Sequence, residues 1–198
     1  MKILLSLTLA AACAFTARAA GAQAIGVYFD PAAGPTTIVQ PAPGSGTLYI
    51  LAILGGAASN GIAGAEFRVG CFPPDWYATW SSLSGSPILG SPFGAGAQIA
   101  FPSCQEGTNG VVLLCTVMYF ATSAVVNHCI GVAARIPPSN PNYSCPVVVI
   151  CDSPTYTYQC VRGGEAVFNP TDEECRPWDT CPVAVNPATW SVLKGLYR

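Results

Sequence analysis

The sequence predicts a mainly β protein, an antiparallel β-sandwich with a disulfide-stapled C-terminal extension and a short C-terminal helix. Three observations carry that prediction. Apolar runs rich in Val, Ile, Tyr and Phe recur between Gly, Pro, Ser and Asn punctuation. The 18 prolines and 20 glycines favour many turns over long helices. Ten cysteines, five of them in the last third of the chain, suit a loop-rich fold stapled by disulfides.

The elements follow in chain order. Lys2, an apolar run over 3–14 broken only by Ser6 and Thr8, and small residues after it form the three parts of a secretory signal peptide. Cleavage sites of the A-x-A kind occur at Ala17-Arg18-Ala19, Ala20-Gly21-Ala22 and Ala22-Gln23-Ala24; cleavage is expected after Ala24, giving a leader of 1–24. The run is shorter than the ~20 residues of a membrane span. Strands are expected over 25–30, 47–54, 62–71, 98–101, 111–121, 128–136, 147–151, 156–161 and 166–169, with no helix between them. Over 62–71, Ala63, Ala65, Phe67 and Val69 share one face and Glu66 and Arg68 the other, the alternation of a half-buried strand. The near-continuous apolarity of 111–121 predicts a central strand covered on both faces. Asn60-Gly61 is a strong turn signal before 62–71, and Asn109-Gly110 precedes 111–121. Pro137-Pro138 breaks the pattern, because a proline donates nothing to a ladder. A sandwich is therefore expected over 25–136, and a Cys-rich β extension over 137–198, packed on the same domain. Asn186-Pro187 fits the cap and first turn of a helix, and Trp190, Leu193 and Tyr197 fall on one face of it.

Two resemblances rest on quoted residues. Ile62-Ala63-Gly64-Ala65-Glu66-Phe67-Arg68-Val69, followed by a Pro-rich loop, resembles the early strands of cohesin-like and other immunoglobulin-like bacterial sandwiches. The second half is similar to a group of uncharacterised secreted bacterial proteins. It matches at Pro146-Val147-Val148-Val149-Ile150-Cys151-Asp152, at Gly163-Gly164 with Asn169, and at the closing Thr189-Trp190 and Leu196-Tyr197-Arg198. These resemblances imply export and a β-rich extracellular module. They imply no activity and name no partner.

Once the leader takes Cys13, nine cysteines remain: Cys71, Cys104, Cys115, Cys129, Cys145, Cys151, Cys160, Cys175 and Cys181. An odd number leaves one unpaired, and eight cysteines allow 105 pairings, so spacing does not select a map. C-x-x-C is absent, which removes the core signature of zinc ribbons and thioredoxin-like motifs.

Catalytic signals are sparse. His128 is the only histidine, and Cys129 beside it would point to the opposite face of a strand, so a Cys–His dyad is disfavoured. No carboxylate pair is nominated by a motif, and no metal or other cofactor is called for. Asp172-Glu173-Glu174 fits a capping box with Thr171 better than a calcium site. The aromatic group Trp76, Tyr77 and Trp80, in a loop region, is the candidate binding site: such rings offer flat faces to sugars or partner proteins, or else cap the end of the sandwich. Without the leader, six basic residues face ten acidic ones, a formal charge of −4 that does not suit a nucleic-acid partner. The expected function is a secreted or extracytoplasmic, non-catalytic binding or structural module with a protein or carbohydrate ligand. A small secreted hydrolase with an unrecognised carboxylate pair is the alternative.

Overall fold

A computed structural model describes residues 23–83, 85–152, 155–171, 173 and 175. The expected C-terminal helix and Cys181 lie outside these residues.

Thirteen strands form two sheets. In chain order they are β1 (Ala24–Tyr28), β2 (Thr37–Ile38), β3 (Gly44–Ile53), β4 (Ile62–Gly70), β5 (Tyr77–Ser82), β6 (Ile88–Ser91), β7 (Gly96–Gln105), β8 (Val111–Ala121), β9 (His128–Ala133), β10 (Val147–Ile150), β11 (Thr157–Cys160), β12 (Arg162–Gly163) and β13 (Glu165–Phe168). The first sheet runs β12-β1-β3-β8-β5. The second runs β11-β10-β4-β9-β13-β2, with β7 on the other edge of β4 and β6 beyond it.

Period-two alternation builds the core between the sheets. Ile25, Val27, Leu48, Ile50, Val117 and Tyr119 point inward from the first sheet. Ile62, Phe67, Val69, Ile99, Ile130 and Phe168 meet them from the second. A register shift interrupts the alternation: Ile50 opposes Cys115 while Leu51 opposes Leu113, so Leu114 is the extra residue of a bulge. That explains why Leu114 and Cys115, neighbours in sequence, are both buried.

The sheets are mixed, which corrects the expectation of a purely antiparallel sandwich. β12 runs parallel to β1, and β2 parallel to β13. Gly164 N donates to Ile25 O at 2.8 Å and Val167 N to Thr36 O at 2.7 Å. The sequence analysis did not expect β2, β5, β6 or β12. β2 and β12 are two-residue strands, and β5 follows Pro73-Pro74 in a stretch that reads as an aromatic loop. β8 is central, between β3 and β5, but Met118 and Phe120 are exposed. Its apolarity therefore does not mean cover on both faces.

Asn109-Gly110 forms a tight turn closed by the isolated Thr108–Val111 bridge, between strands β7 and β8 of different sheets. Both turn residues take positive φ, 55° and 73°, and Thr108 and Val111 exchange backbone bonds of 3.1 and 3.0 Å. After β9 the chain leaves the ladder and crosses Pro137-Pro138 before β10. Beyond that break, β10 pairs with β4, β12 with β1, and β13 with β9, so this segment contributes strands to both sheets.

Disulfides join Cys104 to Cys151, Cys129 to Cys175 and Cys145 to Cys160. Cys71 is also disulfide-bonded, and its partner lies outside the described residues. Among the described residues the free cysteine is Cys115, which is buried. Burial pushes its thiol up to about 12.

Candidate functional site

The predicted aromatic group divides between two faces. Trp76 is only 6% exposed. Its ring stacks on Tyr119 at 5.4 Å and meets Phe168 edge-on at 5.0 Å, while its Nε1–H donates to Ser123 O at 3.0 Å. Trp80 is half-buried and packs against the core. Tyr77, between them in sequence, alternates outward and is 71% exposed. It opposes Phe120 across the β5–β8 ladder, and Thr79 opposes Met118 beside it.

The candidates for nucleophilic chemistry have structural partners. His128 Nε2 lies 2.6 Å from Cys71 O, so that nitrogen donates to a backbone carbonyl. Cys129 is tied to Cys175. Cys115 is held as a thiol in the core, whereas nucleophilic cysteines have lowered pKa values. Asp30 accepts from Ala32 N at 2.6 Å within its own turn, and Asp75 accepts from Ser123 Oγ. Among the described residues no three His, Cys, Asp or Glu side chains cluster to hold a metal ion.

A concavity lies on the outer face of the second sheet. It has a volume of about 710 Å³. Gly64 of β4, Ala100 of β7 and Val149 of β10 form its floor, aligned by the pairs Gly64–Ala100 and Val149–Gly64. The floor is low because these positions carry small or medium side chains. A Cβ on Gly64 would stand 2.6 Å from Ile99 O, so glycine is required there for β4 and β7 to approach.

Aromatic rings form one wall. Tyr158 of β11 opposes Val149, and Tyr156 precedes it by two residues. Both rings are largely exposed, 58% and 63%. Tyr143 joins them, its hydroxyl 3.4 Å from Tyr158 O. Leu89 of β6, also exposed, stands on the opposite side.

One carboxylate lies in the groove. Glu66 Oε1 accepts from Ser139 N at 2.9 Å, and Oε2 accepts from Gln98 Nε2 at 2.7 Å and from Ser139 Oγ. Three donors fix this acid in place and pin the segment after Pro137-Pro138 against the sheet. Among the described residues Glu66 is the only charged residue lining the groove.

The sequence analysis did not nominate Tyr143, Tyr156, Tyr158 or Leu89. A usable signal existed in Tyr156-x-Tyr158, two large rings on one face of an expected strand. Their convergence with Glu66 depends on the pairing of β10 with β4, which no local pattern specifies.

No protein-family model matches the chain, and no curated protein matches it. Similar solved structures include the sixth cohesin of scaffoldin B from Acetivibrio cellulolyticus, in complex with a mutant Cel5 dockerin. It is 13% identical, with 76% of this chain and 100% of that one covered and a TM-score of 0.46. The seventh ScaB type I cohesin from Pseudobacteroides cellulosolvens is 7% identical, with 77% and 95% covered and a TM-score of 0.47. The third cohesin of ScaC from Acetivibrio cellulolyticus, in complex with the ScaB dockerin, is 11% identical, with 74% and 98% covered and a TM-score of 0.42. These three solved structures, to which this chain is similar in fold, are cohesin modules.

Proposed function

We propose that the chain is an exported, non-catalytic binding module that holds its ligand in the groove on the outer face of the second sheet. The single observation that carries this reading is the wall of exposed tyrosines beside a fixed carboxylate over a floor of small residues. Large rings left in solvent on a rigid sheet are contact surfaces without a structural duty. Among the described residues Glu66 is the only carboxylate there and is held by three donors, whereas carboxylate-based glycoside hydrolysis uses two across the substrate.

Export is supported by the leader-like N-terminus and by disulfides, which persist in oxidising compartments. The same geometry bears on where the leader ends. Ala24 pairs with Ile53 and Arg162, and the Gln23 side chain donates to Gly55 O. Cleavage after Ala22 keeps these contacts, and cleavage after Ala24 removes them. N-terminal sequencing of exported protein distinguishes the two.

The functional test is nitration of tyrosines in oxidised protein, with and without a panel of soluble polysaccharides and of proline-rich and acidic peptides. Protection of Tyr156 and Tyr158 by a panel member, abolished by filling the floor with Ala100→Phe, is the expected result. Turnover of any panel member that Glu66→Gln abolishes overturns the non-catalytic reading. Failure of the whole panel to protect either ring overturns the groove as the site.

A further inference from the structure

We infer that the ligand of this groove is a neutral polysaccharide chain, bound along the ring faces of Tyr156 and Tyr158. This rests on the reading of the groove as the binding site. Two residues apart on an extended segment, the rings project to one side with their Cα atoms roughly 6.5–7 Å apart. At 63% and 58% exposed, they present open ring surface rather than the lining of a closed pocket. Such a surface suits a polymer with a repeating flat face better than a compact small molecule.

The polar groups beside the rings are of the kind that sugar hydroxyls pair with. Glu66 has its orientation fixed by Ser139 and Gln98. Gln98 spends its amide N–H on Glu66 and Ser139, and its carbonyl oxygen, which takes no part in those bonds, is an acceptor by nature. The Tyr156 and Tyr158 hydroxyls act as both donors and acceptors.

Charge narrows the class. Among the described residues no Lys or Arg lines the groove, and the one charged side chain there is acidic. A uronate-bearing or sulfated chain would bring like charge to Glu66 with no cation to offset it.

Backbone pairing argues against an extended peptide. β4 is paired by β7 and β10, β7 by β4 and β6, and β10 by β4 and β11. The floor therefore offers a peptide no edge to extend, and strand addition, the main source of affinity for an extended peptide, is open around it only at the terminal strands β11 and β6. A sugar chain needs no such edge.

Native affinity electrophoresis tests the inference. The oxidised protein is run through gels containing hydroxyethyl cellulose, mixed-linkage β-glucan, arabinoxylan or galactomannan, with polygalacturonate as the anionic comparator. Retardation by at least one neutral polymer is expected, and little by polygalacturonate. Tyr156→Ala and Tyr158→Ala should each weaken retardation by about tenfold, the scale of one lost ring contact. Tyr158→Phe should retain most of it, and Tyr77→Ala, on the other sheet, all of it. Thermal midpoints check that each variant is folded. No retardation by any neutral polymer, retardation unchanged in the Tyr156→Ala/Tyr158→Ala double variant, or stronger retardation by polygalacturonate overturns the inference. Nitration protection by a peptide without retardation by a neutral polymer also overturns it, while leaving the binding-module reading intact.

Discussion

Replacing Trp76 by Ala should cost about 4–5 kcal/mol of stability. Truncating a buried Trp ordinarily costs ~3–5 kcal/mol through lost transfer energy and the cavity left behind. This site belongs at the upper end for two reasons. The ring contacts Tyr119, Phe168 and Phe72, with centroids 5.4, 5.0 and 6.1 Å away, and each aromatic pair adds ~0.5–1.5 kcal/mol beyond its area. The truncation also takes the 3.0 Å hydrogen bond from Ser123 O, a term of ~1 kcal/mol. A domain with a total stability of ~5–15 kcal/mol could lose most of it. Urea unfolding of the oxidised protein, followed by tyrosine and tryptophan fluorescence, measures the change. Tyr77→Ala is the internal control: one residue away but exposed, it should stay within ~0.5 kcal/mol of the parent. Trp76→Phe keeps most of the packing and loses the N–H, so it should fall between them. A cost below ~1.5 kcal/mol for Trp76→Ala, or equal costs at positions 76 and 77, would show that the ring cluster is not a keystone of the core.

Asn169 takes a φ of 49° and bonds three ways through its side chain, accepting from Gln40 N at 2.7 Å and donating to Gln40 O and Val125 O at 3.1 and 2.7 Å. Asn169→Ala should cost about 3–4 kcal/mol, one increment of ~1 per bond and ~1 for left-handed backbone, and Asn169→Gly about 1 kcal/mol less, by urea unfolding. The Cys115 thiol deprotonates near 9 when unfolded and near 12 when folded, so its contribution is complete below pH 9 and is lost as pH rises towards 12. Over that window the parent should lose ~1.4 kcal/mol per pH unit more than Cys115→Ala; parallel pH profiles would refute the assignment. Iodoacetamide at pH 8 should leave Cys115 unmodified in folded protein, and peptide mass spectrometry should find Cys115 alkylated after unfolding without reductant. Removing the Cys145–Cys160 link, which closes a separation of 15, with a double Ala variant should cost ~3 kcal/mol by urea titration.

Much of the β framework is visible in local pattern, because alternation and turn chemistry act over a few residues. The 62–71 alternation corresponds to β4, and Asn109-Gly110 supplies both positive-φ positions of the turn before β8. The Val147-Val148-Val149-Ile150 run is β10. The mixed character of the sheets is not visible locally. β2 and β12 are held by bonds to strands more than a hundred residues away, and two residues carry no period. The candidate site divides in the same way. Trp76, Tyr77 and Trp80 are conspicuous in the sequence, yet alternation sends Tyr77 outward and the two Trp rings inward. Tyr143, Tyr156, Tyr158 and Glu66 are separated by up to about ninety residues, and only the β4–β10–β11 ladder brings them to one face.

The Cys104–Cys151 and Cys145–Cys160 bonds hold this site together. The first joins β7 to the end of β10, the strands on either side of β4; the second clips β10 to β11, which carries Tyr158. Without them the tyrosine wall would be a short edge hairpin, free to sample many positions relative to Glu66. With them, the ordering of that wall is complete when oxidative folding ends, before any ligand arrives. Association then immobilises the ligand but little of the protein, which is the advantage of preorganisation. On the proposed reading of the groove, its affinity is therefore coupled to the redox state of its surroundings: a reducing compartment would hold the same polypeptide, with much of the same core, as a poorer binder.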